Sequence, residues 1–188
     1  MMERLMDPIF SRKRRSRMLF NTLPIGISRL FRRLPGHALA ALASYPELGC
    51  TGGPYEVCQM WGVFPEVFCP GNEKTFEFWE GVLEEVAELF PGEIIHIGGD
   101  ECPRDAWKKC KKCQARMKKE KLKEEGDLQN YVVHRIEEFM KTKGKRILGW
   151  DEILEGDVSK TAIVMSWRGK KGGIEGAKRG NEVVMVPN

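Results

Sequence analysis

The chain has 188 residues, 41% apolar and 31% charged, with a mean hydropathy of −0.40 and a formal net charge of +4. No apolar run approaches the roughly 20 residues of a membrane-spanning helix, so the chain reads as soluble and globular with no membrane span. It is also shorter than the roughly 250 residues of a complete (β/α)₈ barrel.

Charge is unevenly spread. Residues 1–34 hold nine Lys or Arg against two acids, whereas residues 35–188 carry a slight acidic excess. Arg12, Lys13, Arg14, Arg15 and Arg17 would suit a nucleic-acid or membrane surface, but a solvated leader is the plainer expectation and no nucleic-acid partner is expected. Arg29, Arg32 and Arg33 interrupt the only apolar run that a secretory leader would need, so no export signal is read here.

Residues 46–71, rich in Gly, Pro, Cys and aromatics, read as a long structured loop. Asn72 then stands where it would cap a helix. That helix repeats Phe76, Trp79, Leu83, Val86 and Phe90 at three- or four-residue intervals and stops at Pro91-Gly92. Residues 93–97 (EIIHI) form a β-rich run ended by Gly98 and Gly99. Residues 103–124, polar and Lys-rich, read as one exposed helix and its connection. A second amphipathic helix begins near Asp127, aligns Leu128, Tyr131, Val132, Ile136, Phe139 and Met140, and ends at Gly144. Beyond it lie 146–150 (RILGW), 161–167 (TAIVMSW), a short helix over 173–178, and 182–186 (EVVMV). These runs are nearly continuous in apolar residues instead of alternating, which predicts buried parallel strands. Their alternation with helices predicts an α/β fold.

The six cysteines are Cys50, Cys58, Cys69, Cys102, Cys110 and Cys113. A chain of this length and apolar content does not need disulfides to fold. Cys110 and Cys113 make one CxxC, but neither His96 nor His134 stands at finger-like spacing from it. Free structural thiols are therefore expected, with no metal and no cofactor.

In a parallel α/β sheet the reacting groups collect where strands end. Here the strand ends are Gly98-Gly99-Asp100-Glu101, Trp150-Asp151-Glu152 and Ser166-Trp167-Arg168, with Pro35-Gly36-His37 closing an earlier segment. Tryptophan faces stack on sugar rings and paired carboxylates cleave glycosidic bonds, so a sugar-cleaving rim is the physical expectation. Asp151 and Glu152 read as an N-cap and a solvated first helical turn at least as readily as ligand contacts. A lone histidine is more often a supporting residue, so His37 and His96 are given only that role.

His96-Ile97-Gly98-Gly99-Asp100-Glu101-Cys102-Pro103, then Gly149-Trp150-Asp151-Glu152-Ile153-Leu154 and Met165-Ser166-Trp167-Arg168-Gly169, resemble the family 20 glycoside hydrolases, the β-N-acetylhexosaminidases. Leu34-Pro35-Gly36-His37-Ala38 resembles that family's Met-Pro-Gly-His motif, with Leu34 in place of Met. A GGDE string also occurs in diguanylate cyclases, but Cys102 replaces their Phe and the other strand ends have no place there. The resemblance covers residues 35–188 and implies a partial (β/α)₈ TIM barrel with parallel strands, acting on N-acetylhexosamine-terminated glycans by retaining, substrate-assisted hydrolysis. It implies Glu101 as general acid and base, Asp100 as the group that orients the substrate acetamide, and Trp150, Trp167, His37 and His96 as the substrate pocket. It also implies a periplasmic or secreted setting for an intact protein.

The approach over residues 25–34 (IGISRLFRRL) does not match the family pattern. Residues 1–34 are therefore expected to stand outside the family fold, as in a gene fragment or a shifted reading frame. The chain by itself is then expected to be poorly stable and nearly inactive. A catalytically silent barrel fragment with at most weak sugar binding is the second reading, and a nucleic-acid or metal-binding module the third.

Overall fold

A computed structural model describes residues 34–186. The basic segment read from the sequence, Leu34 apart, lies outside the described residues. The described chain runs α1 (Leu39–Ser44), a 3₁₀ turn (Pro46–Leu48), α2 (Glu73–Leu89), β1 (Ile94–Gly98), α3 (Asp105–Lys109), α4 (Lys111–Lys119) and α5 (Glu125–Thr142). It continues through β2 (Arg146–Trp150), a 3₁₀ helix (Asp151–Glu155), β3 (Ile163–Ser166), α6 (Lys170–Arg179) and β4 (Val183–Met185).

The four strands lie side by side in chain order and every pairing is parallel. Leu34 adds a parallel bridge to Gly98 on the far edge of β1, giving its N–H to Ile97 O and accepting from Gly99 N–H. Sequential parallel strands joined by crossovers are what a contiguous arc of a (β/α)₈ barrel requires.

The helices form where the apolar spacing places them. Asn72 caps α2 by accepting the Lys74 N–H, and α2 buries Phe76, Trp79, Leu83 and Val86 against Ile95, Ile97 and Ile147 of the sheet. Full burial stabilises each such side chain by roughly 1.5–3 kcal/mol. In α5, Glu124 and Asp127 form a reciprocal capping box, and Val132, Val133, Ile136 and Met140 join the same core.

Three expectations need correction. Residues 103–124 are two helices, and Trp107, Cys110, Cys113 and Met117 bury one face of them in a second small core. The helix expected over 173–178 extends to Lys170–Arg179, because Gly173 and Gly176 let it lie directly on Val164 and Val183. The run 182–186 does form a strand, but half-exposed, since β4 ends the described sheet.

An ion-pair cluster ties three helices together. Glu73 at the start of α2 receives Arg135 of α5, and Arg116 of α4 at 2.5 Å. The Arg135 hydrogen bond first, then that of Arg116, hold its carboxyl down to about 2. A carboxyl lowered in the folded state stabilises it above the ordinary carboxylate range, and that gain is lost as pH falls through the folded value. Glu73 is half-exposed, so screening keeps the gain under about 1 kcal/mol. Glu73→Gln should therefore melt slightly below the parent at pH 7, and thermal melts should show the gap closing as pH falls from about 4 toward 2.

Candidate active site

Consecutive residues of a regular strand face opposite sides, so Asp100 and Glu101 can share a site only if the backbone leaves β geometry before them. It does so through Gly98 (φ 88°) and Gly99 (φ 93°), and Glu101 itself sits at φ 44°. Left-handed backbone is uncommon outside glycine. Among the described residues it occurs at three non-glycine positions, and two of them, Glu101 and His37, touch each other.

His37 Nε2 lies 3.1 Å from Glu101 Oε2 and 3.6 Å from Asp100 Oδ2. The three groups form one constellation, with Asp100 and His37 mostly buried and Glu101 more open to solvent. Gly36 makes the approach possible. A Cβ there would stand 3.0 Å from the carbonyl oxygens of both Asp100 and Glu101.

The turn is held from behind by groups that sequence reasoning missed. Gln129, buried on α5, donates to Gly99 O at 3.0 Å and accepts from Arg104 Nη2 at 2.9 Å. Arg104 also pairs with Glu155 at 2.6 Å. The available signal was Gln129 standing as a polar residue on an otherwise apolar stripe between Leu128 and Val132. Ile153 locks the 3₁₀ helix onto the same turn, since a Cβ at either Gly99 or Gly149 would collide with its Cγ2.

The aromatic wall follows the strand ends. Trp150 closes β2 and meets His96 edge-on at 5.0 Å and Trp167 at 6.2 Å between ring centroids. His96 is buried in β1, where Nδ1 accepts the Gly98 N–H at 3.0 Å, so it braces the turn from within the strand. Trp167 donates Nε1–H to both oxygens of Glu152, at 3.2 and 3.0 Å.

Asp151 and Glu152 are therefore not a solvated first turn. Both are buried, because the neighbouring strand end supplies their partners. Asp151 accepts from the Trp167 N–H and from Arg168 Nε, the latter at 3.1 Å. A hollow of about 330 Å³ opens here, lined by Gly99, Glu101, Arg104, Gln129, Glu152 and Arg168. A larger one of about 560 Å³ lies toward α6 and lacks the converging groups. Burial pushes the neighbouring Cys102 thiol up to about 12.

The sequence profile of the glycosyl hydrolase family 20 catalytic domain matches residues 33–188. A β-hexosaminidase of Porphyromonas gingivalis is 49% identical over 154 residues, covering 82% of this chain and 20% of that protein. The crystal structure of a β-N-acetylhexosaminidase from Bacteroides fragilis superposes with a TM-score of 0.74 at 34% identity, covering 82% of this chain and 31% of that one. An exo-β-N-acetylglucosaminidase from Vibrio harveyi, in complex with N-acetylglucosamine, gives 0.70 at 34% identity over 82% and 24% of the two chains. The chain thus spans less than a third of the length of these relatives, and its strands are an arc of their barrel.

Burial pushes the Glu152 carboxyl above its usual range, against the pull of the Trp167 N–H. A raised carboxyl favours folding below the ordinary carboxylate range, and that contribution is lost as pH rises through the folded value. Glu152→Gln keeps an acceptor for Trp167 and removes the buried charge. It should melt above the parent at neutral pH and converge with it in acid. Glu152→Ala leaves the indole N–H unpaired and should cost about 1–3 kcal/mol. Thermal melts of both variants against pH check the pair.

Proposed function

Because the chain belongs to glycosyl hydrolase family 20, we propose that it carries the acid–base centre of a retaining β-N-acetylhexosaminidase acting on glycans that end in GlcNAc or GalNAc. The observation that carries this reading is the convergence of Asp100 and Glu101 on His37 at the end of β1, beside the paired indoles of Trp150 and Trp167. The N-acetylglucosamine bound to the Vibrio harveyi relative supports the sugar class.

Two sequence neighbours that converge on one imidazole are poorly placed to flank a sugar ring from opposite faces as acid and nucleophile, the arrangement of the usual glycosidase pair. They suit the substrate-assisted route. The carbonyl oxygen of the 2-acetamido group attacks the anomeric carbon while Glu101 gives its proton to the departing glycosidic oxygen. The C1–O bond breaks as the new C1–O bond forms, leaving a cyclic oxazolinium. Asp100 accepts the acetamido N–H, aligns the carbonyl oxygen and stabilises the positive charge that develops. Glu101, now a carboxylate, takes a proton from the water that opens the ring, and two inversions at C1 give net retention. His37 stands between the two carboxylates, its Nε2 nearer Glu101 than Asp100. Trp150 and Trp167 wall the terminal sugar and its acetamido methyl, and Glu152 holds the Trp167 plane in place.

The two carboxylates act at different places on the substrate, so their losses should differ. Nitrophenolate leaves with little need of a proton. In a barrel completed to the length of the relatives, Glu101→Ala should therefore impair hydrolysis of a natural disaccharide far more than that of a nitrophenyl glycoside. Asp100→Ala should slow both by a similar factor, on the order of 10²–10⁴. Measuring kcat/KM for both substrates decides it. Equal impairment in Glu101→Ala, with leaving-group dependence in Asp100→Ala, would show the roles reversed.

A further inference from the structure

Away from the carboxylates, four cysteines from two separate parts of the chain meet in one place. Cys50 and Cys69 stand at the two ends of the long loop. Cys110 joins α3 to α4, and Cys113 lies in the first turn of α4. Cys69, Cys110 and Cys113 are buried and Cys50 half-buried, and the four sulfurs all lie within 4.8 Å of one another. The sequence expectation of free structural thiols rested on a single CxxC with no histidine at finger-like spacing. The fold brings the other pair from 41 and 60 residues upstream of Cys110.

From this geometry we propose that Cys50, Cys69, Cys110 and Cys113 form a closed tetrathiolate site for one zinc ion. A metal with arms of about 2.3 Å holds tetrahedral sulfurs about 3.8 Å apart. The separations here are 3.6 Å for Cys69–Cys113, 3.7 Å for Cys69–Cys110 and 3.8 Å for Cys50–Cys113. Two thiols in contact can reach the same separation, but here four sulfurs from two parts of the chain converge on one point, and a disulfide would need about 2.05 Å.

The surroundings fit the ion. A Gly71 N–H points at the Cys69 sulfur, the outer hydrogen bond that orients a metal thiolate. Gly71 also lies so close to the Lys112–Cys113 peptide that a Cβ would stand 2.2 Å from its carbonyl carbon, so the two parts of the chain are in contact at the site. Zinc with four thiolates carries a net charge of −2. Cys110 is the N-cap residue of α4 and Cys113 lies in its first turn, so the positive end of that helix adjoins the charge. Val67, Trp107, Met117 and Leu128 exclude water around the sulfurs. With four protein ligands the ion has no open position, so its role is structural. It joins both ends of the 50–69 loop to the helices that follow Glu101.

Metal analysis of the full chain purified without chelator tests the site. One zinc per chain is expected. Cys113→Ser and Cys69→Ser should lose it, whereas Cys58→Ser, whose sulfur lies outside the cluster and contacts Met60, should keep it. Should the cluster variants fail to fold, cobalt exchanged into the parent chain supplies the second readout. The thiolate charge-transfer bands and intense visible bands of four-coordinate cobalt are expected. A folded chain without metal, a mass about 4 Da low from two cystines among these residues, or iron in place of zinc would each overturn the assignment.

Discussion

Two neighbouring carboxylates are made to serve one face, although a strand sends neighbours to opposite faces. The fold meets that requirement by ending β1 in backbone that L-residues rarely adopt, at Glu101 as well as at the two glycines before it. Such backbone costs of order 1–3 kcal/mol per non-glycine residue and persists only when its surroundings over-determine it. Here they do. Leu34 bonds the turn on one side, Gln129 holds Gly99 O on another, Ile153 fills the notch left by Gly99 and Gly149, and the Gly36–His37 turn presses on it from the front.

Charge is organised outward from that turn in two tiers. Arg104 is shared between Gln129 and Glu155, and Arg168 between Asp151 and Glu155. Each buried carboxylate has a charged or N–H partner, as burial demands. Asp151 and Glu152 also fix Trp167, the first through the backbone N–H and the second through the indole N–H. The electrostatics that keep Asp151 and Glu152 tolerable inside the protein are thus what hold an aromatic wall in a single orientation.

Strand positions were legible because fully covered parallel strands leave continuous apolar runs, and α2 and α5 because their stripes and caps are strong. The face of α3 and α4 was hidden. Trp107, Cys110, Cys113 and Met117 recur at helical spacing, but the lysines between them dominate the composition. Asp100, Glu101, Trp150, Trp167, His37 and His96 were all named from strand ends and motif resemblance, and the fold gathers Asp100 and Glu101 about His37, and His96 and Trp167 about Trp150. The burial of Asp151 and Glu152 was not legible, since their partners lie 15 to 17 residues on, at the next strand end. The four-cysteine cluster was invisible for the same reason: it is a tertiary fact, built from residues tens of positions apart.

The long loop is fastened at its base, where Gly49 pairs with Phe68 and Cys69 N–H bonds Leu48 O. Its tip carries Met60 and a fully exposed Trp61 beside the hollow that His37 lines. Closing a loop at its base makes extra residues at the tip inexpensive, since each doubling of length adds only about 0.6 kcal/mol. Evolution could therefore lengthen, shorten or rewrite that tip without disturbing the carboxylates beneath it. The loop tip and the turn that aims Asp100 and Glu101 can in this way drift independently, the first on a replaceable surface and the second on a fixed one.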